Sequence, residues 1–282
     1  GTVLYPDEMI SRDVGSGYVR CSADGAGGII AFWREYTPIW FARRDHEGGE
    51  VTPPTLFSSG SWQQYPDVLS SPDSLGRVHV TWTGAPEIRY SILHPVLGEV
   101  FRDTIHGSMR SSLILVDGGR VHIKFNGTSN WADYIQYDLE GNVTVGPVSL
   151  VEGSVDASDH CGLAADSEGN ALVFVRESYS GQPVRLVLYK IDGDTGEKLI
   201  DGLILYEPPF WEDAFDPVIL ARPGGESFYL MWREDDPETS QPLLIRFAVI
   251  DSWGNFTVEP YTAYDYTDEY PDEDIQILRA TT

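Results

Sequence analysis

Basic residues are scarce in this 282-residue chain: 19 Lys and Arg stand against 44 Asp and Glu, a formal net charge of −25. A field of that sign repels phosphate backbones and anionic lipid heads, which argues against nucleic acid as a partner. It is compatible with cations, basic proteins or neutral sugars, and it equally serves to keep an extracellular protein soluble. Long apolar runs are missing too. None approaches the roughly 18 residues that would span a bilayer, so no membrane insertion is expected. Gly1-Thr2-Val3 has neither the charged start nor the apolar stretch of a signal peptide; with no initial Met, the chain fits a mature exported product or one cut for other reasons. Cysteine is nearly absent. Cys21 and Cys161 are too few for a disulfide framework and too isolated for a thiol metal site, leaving two buried free thiols or one bridge across the centre in an oxidising compartment. No Gly-rich phosphate loop, zinc-type His pair or nucleophile elbow occurs, so nucleotide and serine-hydrolase chemistry have no support.

What the chain does have is a repeat. Hydrophobic residues make up 41% and aromatics 12%, ample for a buried core despite the charge. The unit is clearest where Tyr65 to Asp73 is followed by Gly76 to Trp82, Pro86 to Ile92 and Glu99 to Ile105, four short segments designated strands A to D. They alternate with period two, are rich in Val, Ile, Tyr and Trp, and are separated by Gly, Asp and Pro, which disfavours helical repeats. Further copies begin near Tyr18, Ser111, His160 and Pro217. The closing residues of strand B, Trp33, Trp82, Phe125, Val175 and Trp232, set the register at intervals of roughly 40 to 50 residues or slightly more, as in propeller blades.

The pattern therefore predicts an all-β fold, a β-propeller of about five four-stranded blades in a single domain over 1–282. The repeats span approximately 18–60, 65–106, 111–152, 159–207 and 216–262. Residues 1–10 resemble a strand D and 274–279 a strand A, so the termini could form an incomplete sixth blade. Three arrangements compete: the termini pair to seal a five-bladed ring, the natural chain continues, or another subunit supplies the absent strands. The Asp-x-x-Gly turn between strands A and B is structural, Asp capping amides while Gly takes the positive φ.

The stretches Ser70-Ser-Pro-Asp73-Ser-Leu-Gly76 through Trp82 and Ser22-Ala-Asp24 through Trp33 resemble the degenerate repeats of extracellular sialidase-like and Asp-box propeller proteins. The resemblance implies the broad architecture. Propeller glycosidases bring two or three carboxylates together in a central funnel. The candidates here are Asp67, Asp159 and Asp216, each at the entrance of a strand A, where an Asp also serves as a turn cap. Arg34-Glu35, Arg176-Glu177 and Arg233-Glu234 follow strand B in three blades and fit inter-blade ion pairing or several equivalent sugar sites. Binding candidates are thus Trp33, Arg34, Trp82, Arg176, Trp232 and Arg233, the tryptophans fitting inter-blade packing as well as ligand platforms. Asp192, Asp194 and Glu197 place oxygens at the alternate spacing of a Ca2+ loop, or form a plain tight turn. Sequons stand at Asn126, Asn142 and Asn255.

Three functions follow. The first is a non-enzymatic extracellular or cell-surface binding and assembly module for a carbohydrate or protein ligand, with no cofactor unless Ca2+. The second is a glycoside hydrolase, sialidase- or arabinanase-like, using funnel carboxylates. The third is a self-assembling surface subunit that exchanges terminal strands.

Overall fold

The computed structural model describes residues 16–24, 26–35, 38–58, 69–84, 87–95, 97–105, 112–127, 132–151, 161–179, 182–208, 214–235 and 242–265. These form five antiparallel sheets of four strands, without a helix among the described residues. Blade 1 holds β1 (Ser16–Ala23), β2 (Ile29–Glu35), β3 (Ile39–Arg44) and β4 (Glu50–Ser58). Blade 2 holds β5 (Leu69–Pro72), β6 (Val78–Gly84), β7 (Glu87–His94) and β8 (Gly98–Ile105). Blade 3 holds β9 (Ser112–Asp117), β10 (Arg120–Asn126), β11 (Ala132–Asp138) and β12 (Val143–Ser149). Blade 4 holds β13 (Cys161–Ala165), β14 (Ala171–Glu177), β15 (Arg185–Ile191) and β16 (Lys198–Tyr206). Blade 5 holds β17 (Ala214–Ala221), β18 (Ser227–Asp235), β19 (Pro242–Asp251) and β20 (Phe256–Asp265). Every sheet is ordered as its strands follow in sequence, the up-and-down meander of a propeller blade. Residues 1–10 and 274–279, invoked for ring closure and for strand exchange, lie outside the described residues.

Hairpin formation rests on one turn used repeatedly. In blade 2, Asp73 Oδ1 accepts from the amides of Leu75 at 2.8 Å and Arg77 at 2.9 Å, while Gly76 takes φ +74. Asp24 and Asp166 do the same between strands A and B of blades 1 and 4. The identical device also closes the C-to-D hairpins at Asp45, Asp138 and Asp251, where sequence reading had not placed it. An Asp side chain reaching two and four residues ahead satisfies turn amides, and only a positive φ then returns the chain.

The second oxygen of the A-to-B aspartates anchors the turn to its sheet. Asp166 Oδ2 meets Lys190 Nζ of β15 at 2.8 Å, both side chains buried, and Asp24 Oδ2 meets Arg43 of β3 at 3.3 Å. Asp73 Oδ2 takes Arg77 at 2.7 Å and His79 Nε2 at 3.1 Å. Burial opposes the charge on Asp73 and Asp166, but the donors around each hold its carboxyl below the usual carboxylate range.

Packing between sheets builds the core. Ile30, Phe32, Phe41 and Phe57 of blade 1 meet Val78, Val80 and Trp82 of blade 2. Tyr90 and Ile92 meet Val121, Ile123 and Phe125 across the next seam. Tyr134 and Val145 meet Val173 and Val175 across the third, and Phe174 and Leu188 meet Phe228 and Trp232 across the fourth. Trp82, Phe125, Val175 and Trp232 thus occupy matching places, each on the face toward the preceding blade, as the register predicts. Trp33, at the same position in β2, is 2% exposed on the face turned away from blade 2. On blade 5, Tyr229, Phe247 and Tyr261 stack on the face opposite that seam, with successive centroids 5.6 and 5.5 Å apart.

The inner strands approach closely. Gly162 of β13 leaves room for β17: a Cβ there would lie 2.6 Å from the Ile219 nitrogen. Ser22 and Ser70 hydroxyls meet at 2.6 Å, and the Val116 amide donates to Ser71 Oγ at 3.1 Å, tying blades 1 to 2 and 2 to 3. Both cysteines are free; Cys21 is exposed rather than buried, because β1 presents it away from the first seam, and no bridge joins it to buried Cys161.

Asn126 is buried and accepts from Lys124 Nζ at 2.6 Å, so its sequon is closed in the folded chain, whereas Asn142 and Asn255 are exposed beside the Asp138 and Asp251 turns. His122 sits in the third seam, wholly buried. Tyr134 donates to Gln136 Oε1, so His122 Nδ1 must donate to Tyr134, leaving Nε2 bare with no partner. Burial, aided by Arg120, pushes this imidazole down to about 4.

Two outcomes follow. Gly162→Ala should lose about 1–3 kcal/mol by forcing blades 4 and 5 apart, whereas Gly98→Ala, where nothing lies within 4 Å of the new Cβ, carries only the strain of its φ of +76; urea unfolding of both variants would refute the close approach if Gly162→Ala were the milder. For His122, the unfolded imidazole at 6.5 binds its proton before the folded one near 4. Stability should therefore fall as pH drops through that window, by up to about 1.4 kcal/mol per unit for this one proton. In His122→Gln the corresponding slope should vanish from denaturation curves measured between the two values.

Candidate functional site

Three residues singled out by sequence, Arg176, Asp216 and Arg233, come together where β14, β17 and β18 end at one rim. The register explains the meeting: Phe215 pairs with Arg233 and Ala214 with Glu234 before β17 shifts register between Phe215 and Val218. That irregularity turns Asp216 to φ +47, the one non-glycine residue at positive φ among those described. An Asp so placed is tolerated but strained, and such conformations concentrate at functional positions. Asp216 Oδ2 accepts from Arg233 at 2.7 Å. Its carboxylate thus faces a guanidinium.

Phe215, which sequence reading missed, is the centre of the cluster. Arg176 Cζ stands 5.4 Å from its ring centroid and Arg233 Cζ 5.9 Å. Arg176 Nε also donates to the Ala214 carbonyl at 2.9 Å, binding blade 4 to blade 5. A half-buried phenyl ring flanked by two planar cations, with a carboxylate beside it, brings an aromatic side chain and directional polar groups into one small area. Its only sequence signal was the Phe-Asp-Pro run at the entrance of a strand A.

Within Arg176-Glu177 and Arg233-Glu234 the two side chains point to opposite faces, as successive strand residues do. Glu177 accepts from Tyr189 at 2.5 Å and Tyr179 at 3.2 Å. Glu234 accepts from Tyr206 of blade 4 and from Arg246 of its own sheet. The glutamates thus bond tyrosines in or across the seams behind them while the arginines face forward, a division the dipeptide alone conceals.

Trp82 and Trp232 are closed to solvent, Trp82 against Phe57 at 4.6 Å and under Arg102 at 5.3 Å, Trp232 against Tyr206 at 5.0 Å. Asp67 and Asp159 lie outside the described residues, as does the side chain of Arg34. In the C-to-D turn of blade 4, Asp192 Oδ1 accepts from the amides of Thr195 and Asp194, and these backbone bonds hold its carboxyl low. Asp194 Oδ1 accepts from Arg120 at 2.6 Å, and the Glu197 amide donates to Thr195 Oγ1 at 3.2 Å. Among the described residues no group of three or more His, Cys, Asp or Glu side chains is arranged to hold a metal ion.

Inner strands from all five sheets also surround one central cavity of about 310 Å³. It continues past Asp117, Ala165 and Ala221 into a wider mouth of about 600 Å³ between the A-to-B turns of blades 3, 4 and 5.

No family model matches the chain, and no curated protein matches it in sequence. Solved structures do match in shape. A polysaccharide lyase of a new family, PL25 ulvan lyase bound to -[GlcA(1-4)Rha3S]-, is 12% identical with a TM-score of 0.57, over 86% of this chain and 70% of that one. A protein of unknown function from Dyadobacter fermentans is 10% identical with a TM-score of 0.55, over 89% and 83%. SapL1 lectin in complex with alpha methyl fucoside is 9% identical with a TM-score of 0.52, over 89% and 80%. At these identities the likeness concerns the fold, and it places this chain in the broad propeller architecture.

Proposed function

We propose that this protein is a non-enzymatic, carbohydrate-binding propeller of the cell surface or extracellular space, taking its glycan at the rim formed by Arg176, Phe215, Asp216 and Arg233. The observation that carries the reading is the strained Asp216 held against Arg233 beside a phenyl ring shared by two guanidinium groups. Sugars present one apolar face and a ring of hydroxyls. An aromatic side chain bordered by fixed donors and acceptors meets both demands, and leaving such polar groups unmatched disfavours other ligands. The net charge of −25 directs the preference toward neutral sugars, with the two arginines providing local donors. Among similar folds, one solved neighbour is a lectin holding a fucoside and another a lyase holding an acidic oligosaccharide, which supports the same ligand class.

Among the described residues Asp216 meets the Arg233 guanidinium, and this favours binding over hydrolysis. The test is calorimetric titration with methyl fucoside, rhamnoside, arabinoside and glucuronide. At least one should bind, and Arg233→Ala and Phe215→Leu should each weaken it about tenfold, the equivalent of about 1.4 kcal/mol, with unchanged circular dichroism. Equal affinity in both variants would remove the rim from the account.

A further inference from the structure

The central cavity has a composition that the rim site does not explain. Its lining is dominated by Pro72, Ile114, Leu115, Val116, Leu163 and Leu220, all only half-buried. Two of its polar side chains are engaged, Ser70 with Ser22 at 2.6 Å and Ser71 with the Val116 amide at 3.1 Å, and Asp117 stands at its mouth end. Water there can bond the edges of the inner strands, but the aliphatic side chains between them offer it no partner. An apolar group would replace poorly bonded water there at a gain proportional to the aliphatic area it covers.

The mouth is different. Arg120, Arg222, Asp166, Ser167 and Glu168 line it, together with glycine backbone at 118, 169, 224 and 225. Its charges nearly cancel. Arg120 is spent on Asp194 and on the Gly169 carbonyl, and Asp166 on Lys190. Arg222 stacks on Tyr229 at 5.3 Å and faces exposed Asp117 and Glu168 across the opening. Donors and acceptors are therefore both present without a dominant sign, inside a strongly acidic molecule that repels anions. A tapered site with a mainly aliphatic waist and a neutral, hydrogen-bonding mouth is complementary to an amphiphile.

We propose that this tunnel is a second binding site, taking an uncharged amphiphile: an alkyl tail inserts between Leu115, Leu163 and Leu220 while a hydroxyl-rich head remains at the Arg222 and Glu168 mouth. The site lies on the A-to-B turn side, and the rim cluster lies at the other end of the strands, so the two bind independently.

The experiment uses octyl glucoside below its micelle concentration, titrated calorimetrically into the full chain. One saturable site is expected, with hexyl glucoside binding about fifteenfold more weakly, because each of its two missing methylenes contributes about fourfold. Glucose should show no binding at the tunnel, and octanoate should bind at least tenfold more weakly than octyl glucoside. Leu163→Phe and Leu115→Phe, which fill the waist, should weaken octyl glucoside about tenfold. Should both variants fail to fold, the hexyl, heptyl and octyl series on the unaltered chain still decides. Saturating octyl glucoside should not displace a methyl glycoside from the rim, which separates the fate of the two sites. Absence of a saturable site, equal affinity along the alkyl series, or folded waist variants that bind as tightly as the parent would overturn the proposal.

Discussion

A four-stranded sheet with apolar side chains on both faces cannot stand alone in water, and everything else in this molecule follows from that constraint. Burying both faces requires a neighbour on each side. Successive copies of the same sheet supply them at the four described seams, where Trp82, Phe125, Val175 and Trp232 close the second strand. Trp82 and Trp232 show the consequence most directly: both are fully enclosed although each belongs to a seven- to nine-residue strand of a small sheet. Such side chains bury large apolar areas, so they dominate the attraction between blades.

Stacking sheets radially creates a second requirement, that the inner strands converge without clashing. Gly162 against Ile219 and the paired serines of β1 and β5 are the local solutions. The aspartate turns meet a third requirement by holding each hairpin short, and their buried second oxygens recruit Lys190, Arg43 or His79 to anchor the loop. A carboxylate that is both turn cap and ion-pair partner explains why so acidic a chain can still form a compact core: several charges are internal and matched. Blade 3 departs from this scheme. Its A-to-B turn is Asp117-Gly118-Gly119, so His122 has no counterpart to the Asp73 that engages His79.

The functional reading rests on the place where regularity breaks. β17 changes register at its start, and Asp216, Phe215, Arg176 and Arg233 become a cluster because of it. Phe215 and Arg233 share a face as register partners, whereas regular alternation would have turned Asp216 to the other one. The tunnel arises from the opposite cause: regular inner strands place aliphatic side chains of five sheets around one axis.

Strand positions, the number of repeats and the A-to-B aspartate turns of blades 1, 2 and 4 were determined by the sequence itself, since period-two patterning and turn chemistry are local. The C and D strands of blade 4, Arg185–Ile191 and Lys198–Tyr206, fall within the repeat expected at 159–207. Seam packing at Trp82 and Trp232 was legible for the same reason. Tertiary structure alone decided which of the candidate residues meet. Arg176 and Phe215 belong to different blades, 39 positions apart, and their contact depends on sheet packing and on one register shift that no pattern announces. It likewise turned Arg176 and Arg233 away from Glu177 and Glu234, because neighbours along a strand face opposite sides of the sheet and the glutamates bond tyrosines in the seams behind them.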